Sequence, residues 1–220
     1  MKKRSFRRFL GEGIEGLLVS GASLLTWPVS KRWLKDWGSR RAERDRSWFG
    51  DQFVSEAKHV YTRAIDIRAP AGFVWPWLVQ FGFGRAGFYS YELLERLVGI
   101  PVTNVESIQP AMQNLAVGDK VFLHPKAPGI PVASVEPNRR LCFGDPEGAK
   151  STESGNDPAR SWSMYLEPNP HRGCRLILRG VEARKQETWW RRVLGSLEQS
   201  IDFVMEQRML RTVKRLAEQA

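Results

Sequence analysis

Cysteine and histidine are scarce in this 220-residue chain, and each scarcity removes a class of protein. Two cysteines, Cys142 and Cys174, build neither a disulfide scaffold nor a metal cluster, and they fit a reducing cytoplasm. Three histidines, at 59, 124 and 171, have no H-x-x-x-H or His–Cys spacing, so no metal is expected. The nucleophile elbow G-x-S-x-G is missing, which leaves no serine-hydrolase signature. There is no low-complexity tract, and 13 prolines and 19 glycines are too few for a disordered or fibrous chain. The length suits one large domain, or a smaller one with additions, but not two enzymatic domains.

What the chain does have is apolar and aromatic bulk: 42% hydrophobic residues and nine tryptophans, enough for a sizeable core. Its net charge of +10 sits at the two ends. Residues 1–50 carry 12 basic against 5 acidic side chains, residues 51–183 carry 14 of each, and residues 184–220 carry 8 against 5. A neutral body with basic ends points to a ligand-handling domain with an electrostatic face. A nucleic-acid binder would interleave its basic residues with aromatics or show a known module, and neither is present.

The first 50 residues need separate treatment. Met1 to Arg8 is basic and the following stretch apolar, as in a signal peptide or a membrane span. Glu12 and Glu15 interrupt the apolar run, Trp27-Pro28 closes it, and the charge-free segment Gly16 to Ser30 has 15 residues where a span needs roughly 20. Arg7-Arg8-Phe9-Leu10 approaches a twin-arginine signal but lacks the residue that separates the pair from Phe-Leu. The remaining reading is an amphipathic helix with Leu10, Ile14, Leu17, Leu18, Leu24 and Leu25 at near-helical spacing, packed on the protein or a second copy, or laid on a membrane surface. Lys31, Arg32, Lys35, Arg40, Arg41, Arg44 and Arg46 continue it as a charged connector. The domain expectation is a basic helical extension over 1–50 and a ligand-binding domain over 51–220, in a cytoplasmic protein that can touch a membrane at its N-terminus.

From residue 58 the pattern is that of a compact α+β domain. Tyr61, Arg63, Ile65 and Ile67 alternate with Thr62, Ala64, Asp66 and Arg68, which predicts a half-buried strand ended by Pro70. Short helices are predicted over 71–81 and 89–98, the second closed by Gly99 and Pro101. Between them Gly82, Gly84 and Gly87 spell G-x-G-x-x-G. A dinucleotide site would need a strand where Pro76 stands and a βαβ repeat afterwards, so the glycines read as a tight inter-helix loop. Strands follow over 120–124, 130–135, 140–143, 160–167 and 174–182, separated by turn signals, with a polar hairpin loop over 145–158. A helix from about Glu187 to Glu218 carries an apolar stripe of Val193, Leu197, Ile201, Val204, Met205, Met209, Val213 and Leu216.

Residues 59–217 resemble the SRPBCC or START-like superfamily, in its bacterial polyketide cyclase/dehydrase or lipid-transport-like branch. The resemblance is carried by 62–70 (TRAIDIRAP), 74–80 (VWPWLVQ), 84–91 (GRAGFYSY), 115–119 (LAVGD) and 203–210 (FVMEQRML). It implies a helix-grip fold, with an antiparallel sheet of six to seven strands curved around the C-terminal helix and an apolar cavity closed by the two short helices. Trp75, Trp77, Phe81, Phe88, Tyr89 and Tyr91 would stand around its mouth. Tyr89, Tyr91 and Trp162 could add hydrogen bonds to a ligand, although plain core packing accounts for each ring equally well. By the same resemblance Arg179, Tyr165 and His124, as strand residues that could turn inward, are the candidates for polarising or protonating a carbonyl.

Three readings follow: a carrier of a small hydrophobic or amphipathic molecule, a cyclase, dehydratase or isomerase acting by general acid-base catalysis, and an interaction module whose basic ends meet an acidic partner or an anionic lipid surface.

Overall fold

A computed structural model describes residues 6–145, 160–169, 173–183 and 189–219. The chain runs α1 (Phe6–Lys35), α2 (Arg41–Asp45), a 3-10 turn (Phe49–Phe53), β1 (His59–Ile67), α3 (Ala71–Val79), α4 (Glu92–Leu97), a second 3-10 turn (Pro110–Met112), β2 (Lys120–Val121), β3 (Ile130–Glu136), β4 (Arg140–Gly144), β5 (Arg160–Asn169), β6 (Gly173–Glu182) and α5 (Trp189–Ala217). The six strands form one antiparallel sheet in the order β1-β6-β5-β4-β3-β2. Strands β2 to β6 follow one another as a meander, and β1 closes on β6. With α5 across one face, this is a helix-grip-like α+β arrangement, as the resemblance implies.

Alternation along each strand decides which side chains meet α5. On the inner face Ile67, Met164, Leu166, Cys174, Leu176 and Leu178 join Met209, Leu210, Val213 and Leu216 of α5 in the main core. Buried at 0–7% exposure, Phe203, Val204, Gln207 and Leu210 define the helix face that packs. The stripe expected on α5 is therefore corrected in part, since Ile201 is 38% exposed. Steps of four residues overshoot a full turn by about 40° each, so a stripe read that way drifts off the packed face. The side chains of Val193 and Leu197, the helix start at Glu187 and most of the hairpin loop over 145–158 lie outside the described residues.

The outer face is covered as well, by chain that precedes β1. Trp48 and Phe53 pack on Ala64, Cys142, Tyr165 and Ile177, so α2 and the first 3-10 turn form a second small core on the far side of the sheet. Gly50 makes the close approach possible, because a Cβ there would fall 2.3 Å from Ser163 Oγ.

Three boundaries differ from expectation. Helix α1 does not stop at Trp27-Pro28 but continues to Lys35. Around the proline, Thr26 Oγ1 donates to the Ala22 carbonyl at 2.8 Å and Ser30 Oγ to the Thr26 carbonyl at 2.9 Å, hydroxyl bonds one turn back of the kind that bend a helix without ending it. The second short helix begins at Glu92 rather than Tyr89, because Tyr89 adopts φ 56°. Asn104 Oδ1 holds that conformation by accepting from the Phe88 and Tyr89 N–H groups at 2.9 and 2.7 Å. Strand β2 ends at Val121, which leaves His124 in the following loop.

Candidate functional site

The most polar point inside the grip is Glu206 of α5. Its carboxylate accepts from Tyr61 Oη at 2.7 Å, from Trp162 Nε1 at 3.0 Å and from Arg63 Nη1. Arg63 itself is only 4% exposed, donates Nε to the Leu34 carbonyl of α1 at 3.0 Å, and lies over the rings of Tyr61 and Phe203. Tyr61 faces Gly180 across the β1–β6 ladder, where a Cβ would fall 2.2 Å from its ring. Burial first, and then the adjacent Glu206 charge, push the Tyr61 phenol well above its usual range. One carboxylate thus ties β1, β5 and α5 together, with Arg63 adding α1.

Beside this cluster the predicted aromatics divide into groups. Phe81 stacks on Phe88 at 5.3 Å and on Trp162 at 5.2 Å, and Trp162 meets Phe143 at 5.5 Å. Trp77 meets Tyr89 edge-on at 6.1 Å, while Trp75 packs on the rim of the same core. Tyr91 belongs elsewhere, in a cluster with Leu34, Phe203 and Val204, and its hydroxyl donates to Glu15 of α1. Burial leads the rise of the Tyr91 phenol to about 12. The glycine loop closes as a tight turn, with Gly82 bridged to Gly87 and Phe83 to Phe122. Gln80 fixes the loop from below, donating to Tyr89 Oη at 2.8 Å and accepting from the Gln109 N–H at 2.9 Å. Within this region the Trp77 indole N–H is buried with no hydrogen-bond partner among the described residues.

The three candidates for acid-base work do not converge inside the grip. Arg179 and Tyr165 both lie on the outer face, under the segment that precedes β1. Arg179 bonds Asp51 through Nε and Nη2 at 3.0 and 2.9 Å and Thr62 Oγ1 at 2.7 Å. Tyr165 Oη accepts the Gly50 N–H at 2.9 Å, and burial pushes its phenol upward. His124 is in the loop after β2, where its Nδ1 accepts the Lys126 N–H at 3.1 Å. Among the described residues no three His, Cys, Asp or Glu are grouped to hold a metal ion.

Two basic depressions remain. One, of about 500 Å³, lies at the end of α5 between Arg68, Arg211, Lys214 and Arg215, but Glu218 pairs with Arg68 and Lys214, and Glu106 with Arg215. The other, of about 250 Å³, lies between the end of α1, the start of β1 and α5. It is lined by Lys31, Arg32, Leu34, Lys35, His59, Arg63 and Gln199. Arg63 has its counter-charge in Glu206, whereas no carboxylate pairs with Lys31, Arg32 or Lys35 among the described residues. This cavity gathers those three cations and shares Arg63 with the Glu206 cluster. Composition alone points to none of this, but one signal was available. Arg63 occupies an inward position between Tyr61 and Ile65, and a buried arginine demands a carboxylate.

No protein-family model matches this chain, and no curated protein matches it. Solved structures similar to it include proteins of Mesorhizobium loti (16% identity, TM-score 0.41, covering 74% of this chain and 98% of that one), Nitrosomonas europaea (15%, 0.43, 75% and 96%) and Chromobacterium violaceum (15%, 0.40, 72% and 96%).

Proposed function

We propose that this protein binds a small amphipathic anion, with the acidic head held in the cavity at the end of α1. The carrying observation is the trio Lys31, Arg32 and Lys35, three cations that no carboxylate pairs among the described residues, around about 250 Å³ of space floored by Leu34. Ligand cavities for whole drug-sized molecules span roughly 300–1,000 Å³, so this one takes a head group and leaves an apolar tail to lie along the protein. The resemblance to SRPBCC or START-like proteins supports binding or carriage of a hydrophobic or amphipathic molecule as the role. No observation favours the cyclase-type reading, because Arg179 and Tyr165 have structural partners on the outer face.

Native mass spectrometry of the full chain, purified without detergent, tests the reading by titration with dodecyl phosphate and with dodecanol. The expected result is a one-to-one complex with the phosphate alone, weakened about tenfold in a Lys31→Ala/Lys35→Ala variant and by added salt. Equal binding of the alcohol, or undiminished binding by the variant, overturns it.

A further inference from the structure

Helix α1 is inside out. The face it buries is small: Gly13 lies against Leu93 and Gly16 against Tyr91 and Leu94, with Ser23 buried on the same side. Val19 and, near the end, Leu34 pack inward, but most of the bulky residues between Leu10 and Leu25 point the other way. Leu10 is 41%, Ile14 57%, Leu17 50%, Leu18 69% and Leu25 85% exposed. At 100° per residue these five fall within an arc about 100° wide, and from Leu10 to Leu25 the stripe is about 22 Å long. Arg7 extends the same arc at one end, and Arg32 and Lys35 at the other. The helix's two carboxylates are off this arc and turned to α5, where Glu12 and Glu15 pair with Arg208 at 3.1 and 3.6 Å.

We infer that this face docks on the surface of an anionic membrane, with α1 lying in the interface plane. An apolar stripe with cations at both ends and no acid along it matches an acyl boundary flanked by lipid phosphates. No helix of the described residues is long and apolar enough to cross a membrane, which suits a helix that lies on one. A second copy of the chain fits less well. Antiparallel pairing of two such helices sets Arg7 against Arg32 and Lys35, parallel pairing sets like residues against each other, and both oppose cation to cation. The face shares Arg32 and Lys35 with the anion cavity but not Ile14 and Leu18, so changes at those two positions separate membrane docking from anion binding.

Co-sedimentation of the full chain with vesicles of phosphatidylcholine and phosphatidylglycerol, and of phosphatidylcholine alone, provides the test. Wild type is expected to pellet with the anionic vesicles, less so as salt rises, and an Ile14→Glu/Leu18→Glu variant to bind them about tenfold more weakly while keeping its circular dichroism and its dodecyl phosphate binding. A Leu18→Cys protein labelled with a polarity-sensitive dye reads the contact directly, because Cys142 and Cys174 are buried. A blue shift on adding anionic vesicles is expected. The idea fails if wild type stays in the supernatant, if the double variant pellets like wild type, or if the dye does not shift. It also fails if wild type is a dimer that the double variant converts to a monomer without affecting vesicle binding.

Discussion

Arg179 of β6 grips both carboxylate oxygens of Asp51, at 3.0 and 2.9 Å, across the outer face of the sheet. The pair fastens the first 3-10 turn to the strand whose other face carries the main core. A parallel clasp lies eight residues earlier in the chain, where Glu43 of α2 holds Arg175 and also accepts the Arg40 N–H. Burial alone would raise the Glu43 carboxyl, but Arg175 and the Arg40 N–H hold it below the usual carboxylate range. Two arginines four residues apart on one face of β6 thus belong to the architecture, with the residues before β1 as their partners.

Arg179→Ala is expected to destabilise the fold by about 3 kcal/mol, since it strands a partly buried Asp51. Tyr165→Phe is expected to cost about 1–3 kcal/mol by leaving the Gly50 N–H without an acceptor. Urea unfolding measures both. Binding of dodecyl phosphate by the folded protein should be unchanged, and its loss in either variant would place the ligand on the outer face.

The sheet and α5 were legible because period-two alternation and an apolar helix both leave marks in one dimension. The strands over 130–135, 140–143, 160–167 and 174–182 recur in the structure with ends shifted by one or two residues. Arg179 shows where that reading stops. Its alternation on β6 was plain, but the face it occupies depends on Asp51, whose turn folds back over the sheet. The orientation of α1 was hidden for a related reason. Leucines at helical spacing fit a face packed on protein as well as one laid on a membrane, and Gly13 and Gly16, which permit close helix contact, carry little weight in a hydrophobicity pattern. Glu206 was missed because a single acid within an amphipathic helix resembles a solvated one.

Those two glycines give a sharp contrast with their neighbours. Gly16→Val would put a Cβ 2.9 Å from the Tyr91 ring and is expected to cost about 1–3 kcal/mol, lowering Tm by roughly 2–10 °C. Gly11→Ala and Gly21→Ala meet nothing within 4 Å and should stabilise the helix by about 0.5–1 kcal/mol each. Thermal melts that ranked the three variants alike would contradict the packing of α1 on α4.

Removing the Glu206 charge leaves Arg63 buried without its partner. Glu206→Gln should therefore cost about 3–5 kcal/mol, and Arg63→Met in the same background should restore part of the loss. A double-mutant cycle by urea denaturation reads the coupling. If the two effects simply add, the carboxylate does not act as the link between helix and sheet.

The last expectation concerns pH and rests on Glu95 of α4. Burial raises its carboxyl from 4.5 to about 7, opposed only by the Ser90 hydroxyl, which donates to Oε1 at 2.6 Å. A folded-state pKa above the unfolded one means that the native protein holds the proton more tightly. Its contribution is complete below about pH 4.5 and is lost as pH rises through about 7. The difference corresponds to about 3 kcal/mol, an upper figure for a residue that is 6% exposed. Wild type should accordingly lose stability between these pH values, while Glu95→Gln, which mimics the protonated form, should lose much less and be the more stable protein at pH 8. Parallel urea titrations of the two proteins from pH 4 to pH 8 decide it. Parallel curves would mean that the Glu95 carboxyl titrates near its ordinary value in the folded chain.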